Sequence, residues 1–135
     1  HTLSQHAALA AFDCTDELDA LTQQYAANRR VLIDALENGG VTEIAPSEGA
    51  FYIWADLGAW GGSSELSRIW LDELGVAVTP GGDFDSMAGS RFMRFSVAGS
   101  TDSITEAAAR VSRWLASNEP ATPGRRGSPV SGEPS

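Results

Sequence analysis

An arginine interrupts the apolar run FMRFSV, which alternates like a β-strand over residues 92–97. Successive side chains on a strand point to opposite faces, so the run divides into an apolar set and a mixed set. These sets are Met93, Phe95 and Val97, and Phe92, Arg94 and Ser96. The apolar set should face a core. The mixed set suits a small amphipathic ligand, because a guanidinium binds a carboxylate through two parallel hydrogen bonds.

An alternative for Arg94 needs no ligand. The chain has 18 Asp and Glu residues, and a strand arginine could pair with one of them. Asp83 and Asp85, on either side of Phe84, could likewise exchange protons or hold a hard cation. Turn residues with solvated charges are the more common explanation of such a pair.

Glycines and aromatic residues near these positions also allow two interpretations. Gly49 and the glycines at 81–82 could let the backbone approach a ligand, but plain turn geometry explains them equally well. Tyr52 and Trp54 share a strand face with Asp56, which favours a half-buried surface or an interface over a cofactor pocket.

Composition excludes several classes of function. All nine basic residues are arginine, no lysine is present, and the net charge is −9. This charge disfavours binding to nucleic acid or to an anionic membrane surface, and no apolar run is long enough to cross a bilayer. His1, His6 and Cys14 match no metal-ligand spacing, so no metal site is predicted. A single cysteine forms no intrachain disulfide, so a cytoplasmic location is the default expectation.

Helices and short strands position these residues. Helices are predicted for TLSQHAALAAF, CTDELDALTQQYAANRRVLIDALENGG, ELSRIWLDELG and a last segment that ends in ARVSRWL. Thr15, Ser63 or Ser64, and Thr101 are the expected N-caps, and Gly75 is an expected stop. The expected core stripes are Leu18, Leu21, Tyr25, Leu32 and Leu36 on the second helix, and Ile104, Ala108, Val111 and Leu115 on the last.

Strands are predicted for VTEI, AFYIWADL, VAVT and RFMRFSV. The order of elements predicts an α/β (α+β) sandwich, in which helices cover a small mixed or antiparallel sheet. Residues 117–135 are rich in Pro, Gly and Ser and are predicted to form a disordered tail. The chain does not begin with Met, so we expect residues 1–14 to continue from an upstream segment.

Several motifs follow one another in a fixed order. They are SEGAFYIWADL, a helix, GVAVTPGGDF, RFMRFSVAGS and the helix that ends in ARVSRWL. This succession resembles the C-terminal small domain of the class I/II aminotransferases, fold-type I pyridoxal-phosphate enzymes related to aspartate aminotransferase. The resemblance implies that residues 1–14 form a helix that leaves a large domain and that residues 15–116 form the small domain.

The resemblance also implies roles for particular residues. In that family the arginine of this strand binds the α-carboxylate of the substrate, which assigns the role to Arg94. Gly49, Phe92 and Ser96 are then candidate pocket-lining residues. The family's lysine, which forms a Schiff base with pyridoxal phosphate, belongs to the large domain. Because this chain has no lysine, it cannot hold the cofactor covalently and is expected to contain no catalytic residue.

The implied function is that of a pyridoxal-phosphate-dependent aminotransferase, which moves an amino group between an amino acid and a 2-oxo acid. The implied assembly is a homodimer, and this chain alone should be inactive. Relatives with the same fold catalyse elimination and lyase reactions, which the small domain does not distinguish. The alternative is a non-catalytic module that binds carboxylates or docks on a partner. A lysine-bearing cofactor segment upstream would favour the enzyme.

Overall fold

A computed structural model describes residues 2–118 and 120 of the chain. The described residues form four helices and three short strands. They are α1 (Thr2–Ala11), α2 (Thr15–Asn38), β1 (Tyr52–Asp56), α3 (Ser63–Ile69), β2 (Thr79–Pro80), β3 (Phe92–Ser96) and α4 (Thr101–Ser117). A π-helical turn, Trp70–Leu74, extends α3, and the segment between β2 and β3 contains two 3-10 turns, Gly81–Asp83 and Gly89–Arg91.

The three strands form an antiparallel sheet in the order β1-β3-β2, so β3 is central. Trp54 of β1 and Thr79 of β2 are both paired with Arg94 of β3. Helices α2, α3 and α4 contribute the core residues on one side of this sheet, and α2 and α4 also pack against each other. The predicted fold class, a small antiparallel sheet covered by helices, is confirmed.

Strand alternation on β3 divides its side chains as predicted. Met93, Phe95 and Val97 are buried, whereas Phe92 and Arg94 are half-buried and Ser96 is exposed. The core gathers the buried apolar residues of the sheet and of three helices. They are Leu32, Leu36, Val41, Ile53, Ala55, Leu57, Leu66, Trp70, Met93, Phe95, Val97, Ala108, Val111 and Leu115.

Two of the four predicted strands are much shorter than expected. VTEI contributes only an isolated bridge between Ile44 and Ala55, and the pairing ends before Pro46, which has no N–H to donate. In VAVT only Thr79 is a strand residue. The Val76 N–H donates instead to the Trp70 carbonyl at 3.1 Å, which binds this segment to the end of the preceding helix.

The N-cap positions of α2, α3 and α4 lie one or two residues earlier than the predicted N-caps. Cys14 precedes α2, and its side chain makes no capping hydrogen bond. Gly62, rather than a serine, precedes α3. Ser100 caps α4, because its hydroxyl accepts a hydrogen bond from the Ser103 N–H at 3.2 Å. The predicted stop at Gly75 is confirmed, since this residue has φ 64°, a left-handed conformation that suits glycine.

The apolar stripe of α2 is buried at only one end. Leu32 and Leu36 lie in the core, but Leu18 is 52% and Leu21 40% exposed. The sequence did not predict the buried Asn28 of this helix, whose amide donates to the carbonyls of Val97 and Gly99 at 3.0 Å each. These bonds fasten α2 to the chain that leaves β3.

The N-terminal helix α1 has no buried residue. In the part of the chain that the structure describes, no helix is both long and apolar enough to cross a membrane. Of the predicted tail, residues 117–135, the structure describes only Ser117, Asn118 and Pro120. The rest of the tail lies outside the described residues.

Candidate functional site

The sheet has a second face, opposite the core, that we call the open face. Its side chains come from all three strands, because residues paired across antiparallel strands point to the same side. They are Tyr52, Trp54, Asp56, Thr79, Phe92, Arg94 and Ser96. The open face therefore combines four aromatic or cationic groups with a few polar ones, as the alternation of β3 predicted.

Arg94 lies at the centre of the open face. Its guanidinium carbon is 4.2 Å from the Tyr52 ring centroid and 4.3 Å from the Phe84 ring centroid. Its Nη2 donates one long hydrogen bond, of 3.5 Å, to the Thr79 hydroxyl. A guanidinium has five N–H donors, so within the described residues most of the donors of Arg94 are free to bind an anion.

No acidic side chain of the described residues forms an ion pair with Arg94. The two ion pairs found there join Arg91 to Asp56 and Arg110 to Glu106. The described residues therefore do not support the alternative in which Arg94 pairs with one of the chain's own carboxylates.

Arg91, three residues before Arg94, has a different environment. It forms its ion pair with Asp56, whose side chain is only 8% exposed and also accepts the Gly58 N–H at 2.8 Å. This pair fastens the end of β1 to the loop that precedes β3 and neutralises the Arg91 charge. Of these two neighbouring arginines, only Arg94 presents a charge without a carboxylate partner among the described residues.

Aromatic rings surround Arg94 in a connected row. Trp54 stacks on Phe92 with centroids 5.5 Å apart and planes at 9°, and it makes a T-shaped contact with Phe84, with centroids 6.1 Å apart. At the other side of Arg94, the Tyr52 ring lies 4.5 Å from that of Phe51. Both rings that contact Arg94 are thus supported by a further ring.

The loop that carries Phe84 is closed by two glycines in contact. A Cβ on Gly81 would lie 2.5 Å from the Gly89 carbonyl oxygen and 2.6 Å from that of Phe92. The buried Ser63 hydroxyl also donates to the Gly89 carbonyl at 3.1 Å. Gly81 is therefore needed for close packing of the loop on β3, which places Phe84 over Arg94.

Asp85 is a turn residue of the same loop. Its carboxylate accepts hydrogen bonds from the N–H groups of Met87, at 2.8 Å, and Ala88, at 3.1 Å. Both bonds stabilise the ionised carboxylate, and they lower the pKa of Asp85 from its ordinary value of 3.8. The bond from Met87 has the larger effect and the bond from Ala88 the smaller. This is the turn function that the sequence favoured over acid–base chemistry.

The remaining sequence candidates lie near Arg94 to different degrees. Phe92 and Ser96 share its face, and the Ser96 hydroxyl accepts the Ala98 N–H at 3.3 Å. Gly49 lies in the bend before β1, where a Cβ would have no atom within 4 Å. The unusual backbone of this bend belongs to its neighbour Ala50, with φ 57°, a conformation that alanine rarely adopts.

Sequence reasoning missed the partners of Arg94. Tyr52 was placed on an aromatic strand face, but nothing in the sequence paired β1 with β3 in a register that brings this ring to Arg94. Phe84 was seen only as the residue between two aspartates. Its position depends on the path of the loop and could not be read from local spacing.

Comparison with known proteins decides the family. The family model for aminotransferase class I and II matches residues 1–111. The chain belongs to this family. The resemblance drawn from the motif order is confirmed, and the family in general uses pyridoxal phosphate.

Individual aminotransferases match over most of the chain. A valine–pyruvate aminotransferase of Mycobacterium tuberculosis is 42% identical over 118 residues, which cover 85% of this chain and 30% of that protein. An LL-diaminopimelate aminotransferase of Nitratidesulfovibrio vulgaris is 35% identical over 109 residues, 79% of this chain and 28% of that protein. The crystal structure of an aminotransferase from Mycobacterium tuberculosis superposes with a TM-score of 0.81 at 41% identity, covering 86% of this chain and 31% of that one.

The chain spans about 30% of the length of the curated aminotransferases that it matches. Because it has no lysine, its residues do not supply a covalent attachment point for pyridoxal phosphate. What the open face can do chemically is bind and orient an anion.

Proposed function

We propose that this chain supplies the substrate-carboxylate site of a pyridoxal-phosphate-dependent aminotransferase, with Arg94 as the residue that binds the carboxylate. The observation that supports this most directly is the state of Arg94. Its charge has no acidic partner among the described residues, and its one hydrogen bond there is long, at 3.5 Å.

A carboxylate would give Arg94 both a negatively charged partner and hydrogen-bond acceptors. Two parallel N–H···O bonds to its guanidinium would neutralise the charge and fix the orientation of the bound molecule. Half-burial of Arg94 makes such a pair stronger than one in open water, because the local dielectric is lower. Fixing the carboxylate also fixes the carbon next to it, and orientation of this kind can contribute substantially to a rate.

The proposed substrates are an amino acid and a 2-oxo acid. Valine, pyruvate and LL-diaminopimelate, which the names of the relatives mention, differ in their side chains but all carry a carboxylate on the carbon next to the reacting nitrogen or oxygen. Arg94 would recognise this shared group. Pyridoxal phosphate, when bound, stabilises negative charge at the substrate carbon, and this chain would contribute the binding and orientation of the substrate.

The pocket proposed around Arg94 includes Gly49, Phe92 and Ser96. Phe92 would supply an apolar wall, because it stacks on Trp54 beside the arginine. Ser96 continues the same face with a hydroxyl, and Gly49 lies in the bend that leads into β1. None of these residues carries a charge that would compete with a substrate carboxylate.

We further propose that residues 15–116 act as the small domain of the enzyme and residues 1–14 as the helix that joins it to a large domain. The exposure of every described residue of α1 supports a partner outside this unit. We also propose that the enzyme is a homodimer, as the family resemblance implies, and that it is cytoplasmic, which agrees with a single cysteine that forms no intrachain disulfide.

The test is Arg94→Lys in the complete aminotransferase that contains this chain. Lysine keeps the positive charge but cannot make the planar two-bond contact. We expect the fold and the cofactor absorbance to be retained. We expect kcat/KM for amino acids, assayed as a panel with pyruvate as acceptor, to fall on the order of a hundredfold.

Arg91→Lys is the matched control, because Arg91 is a neighbouring arginine whose charge is already paired with Asp56. It should change kcat/KM little. Amines that lack a carboxylate should lose little activity in Arg94→Lys. Amino-acid turnover that survives Arg94→Lys would contradict the proposal. A purified protein with neither cofactor absorbance nor transamination would instead favour the non-catalytic carboxylate-binding module.

A further inference from the structure

We infer that Tyr52 and Phe84 are positioning residues, which hold the Arg94 guanidinium ready for a carboxylate; this rests on the proposed function of Arg94. The two rings come from different parts of the chain, β1 and the loop between β2 and β3. They converge on one cation, with centroids 4.2 and 4.3 Å from its central carbon. Both distances lie within the range of a favourable cation–π contact.

The two rings reduce the entropy cost of ordering the arginine side chain when a ligand binds. A long side chain without a partner samples many rotamers, and ordering it when the ligand arrives reduces the affinity. An acidic residue could hold the arginine in place, as Asp56 holds Arg91. That partner would also neutralise the charge, and a substrate carboxylate would have to displace it.

Aromatic rings order the guanidinium without this competition. A ring carries no net charge and is a poor acceptor compared with a carboxylate, so it restricts the side chain while leaving the N–H donors available. Arg94 makes one long hydrogen bond, to Thr79, among the described residues. This agrees with a guanidinium that the rings hold in place while most of its N–H donors have no acceptor there. The arrangement therefore combines restricted motion with an unneutralised charge.

Phe84 depends on further contacts for its position. It is 54% exposed, and without support such a ring would be free to leave Arg94. Trp54 makes a T-shaped contact with it, with centroids 6.1 Å apart, and Trp54 is itself stacked on Phe92. The close contact between Gly81 and Gly89 fixes the path of the loop on the other side. These contacts make Phe84 a defined part of the site despite its exposure.

The experiment replaces each ring by an aliphatic group of similar size in the complete enzyme. Phe84→Leu and Tyr52→Leu remove a ring, and Phe84→Tyr and Tyr52→Phe retain it. Met87→Ala is the control in the same loop, because the Met87 side chain is 94% exposed. Steady-state kinetics use the amino acid with the highest turnover, and the amine that lacks its carboxylate. Propionate, a carboxylate that cannot be transaminated, is used as a competitive inhibitor.

Loss of either ring should raise KM for the amino acid and the inhibition constant of propionate by about three- to thirtyfold, the range that a cation–π contact represents. The constants for the carboxylate-free amine should change little. Phe84→Tyr and Tyr52→Phe keep the ring and should recover most of the affinity that the leucine variants lose, and Met87→Ala should match the parent. In an Arg94→Leu background, Phe84→Leu should add almost nothing, because the group that it positions is gone.

The results of Arg94→Lys and of the two leucine variants together distinguish a failure of this inference from a failure of the proposed function. If Arg94→Lys is harmless, the proposed function fails and this inference fails with it. If Arg94→Lys is harmful but both leucine variants leave KM and the propionate constant unchanged, only the positioning role is overturned. Equal losses on amino acid and amine, or loss of cofactor absorbance, would show that the rings act on the fold and would also overturn it.

Discussion

The two faces of β3 differ in how they are stabilised. Phe95, on the core face, is 3% exposed and packs against Trp70 at a centroid distance of 6.0 Å. Arg94, one residue earlier, is half-buried and rests against Tyr52 and Phe84. The core face is held by burial of apolar surface under helices. The open face is held by ring contacts at the surface, which leave a cation able to bind.

This difference separates stability from function on a single strand. Closely packed side chains cannot be changed without loss of folding free energy. Side chains on the open face can change at a lower cost to folding, because fewer of their contacts are buried. We therefore expect substitutions on the core face to affect stability first, and substitutions on the open face to affect binding first.

The largest expected effect is that of Phe95→Ala on stability. It removes a fully packed ring, and should lower the free energy of unfolding by about 3–5 kcal/mol. Phe92→Ala removes the same ring from the open face, where Phe92 is half-buried, and should cost less than half as much. Urea unfolding of both variants measures the difference. Equal losses would mean that the two faces do not differ in burial as described.

A smaller effect is expected from Gly81→Ala, which tests how the loop reaches the open face. Its new Cβ would meet backbone oxygens of Gly89 and Phe92 at 2.5 and 2.6 Å, so the loop must shift. We expect a loss of about 1–3 kcal/mol and weaker binding of carboxylates through displacement of Phe84.

Gly82→Ala is the control for Gly81→Ala, because a Cβ at Gly82 has no atom within 4 Å. Thermal unfolding should place it within about 0.5 kcal/mol of the parent. A tolerated Gly81→Ala, or a Gly82→Ala that is just as harmful, would show that the glycine contact does not determine the loop.

The smallest effect on stability is expected from Asp85→Ala, which removes hydrogen bonds within the loop between β2 and β3. Because backbone hydrogen bonds lower the pKa of Asp85 below 3.8, its ionised form stabilises the fold at neutral pH. This contribution is lost as the pH falls below 3.8 and through the folded pKa.

Thermal unfolding across pH measures the Asp85 contribution. The variant should melt slightly below the parent at neutral pH, and the two should converge in acid. Asp83→Ala is the control at the neighbouring carboxylate and should melt close to the parent at neutral pH, since Asp83 accepts no backbone hydrogen bond among the described residues. A deficit of Asp85→Ala that persists unchanged in acid would argue against this role of the carboxylate.

The sequence by itself determined the fold class, the division of β3 into two faces, and the family. These follow from short-range periodicity and from the order of motifs, both of which are local properties of the chain. The same reasoning singled out Arg94, because charged residues are depleted in strands and rarely buried without a partner, while its substrate role came mainly from the family resemblance. It also established from composition alone that no lysine is available for covalent cofactor binding.

Local patterns predicted more regular structure than two strand segments and one helix face contain. VTEI and VAVT have strand-like residues, but their pairing depends on Pro46 and on the hydrogen bond from Val76 to Trp70. The stripe of α2 predicted a continuous buried face, yet Leu18 and Leu21 have too few neighbours in the described chain to be covered.

The tertiary structure alone decided what Arg94 contacts. Tyr52 reaches it through the register of β1 on β3, and Phe84 reaches it through a loop closed by Gly81 and Gly89. The sequence could not distinguish an arginine paired with one of 18 acidic residues from one held by rings with its donors free. That distinction depends on distances between residues far apart along the chain, which are fixed only when the sheet and its loop pack together.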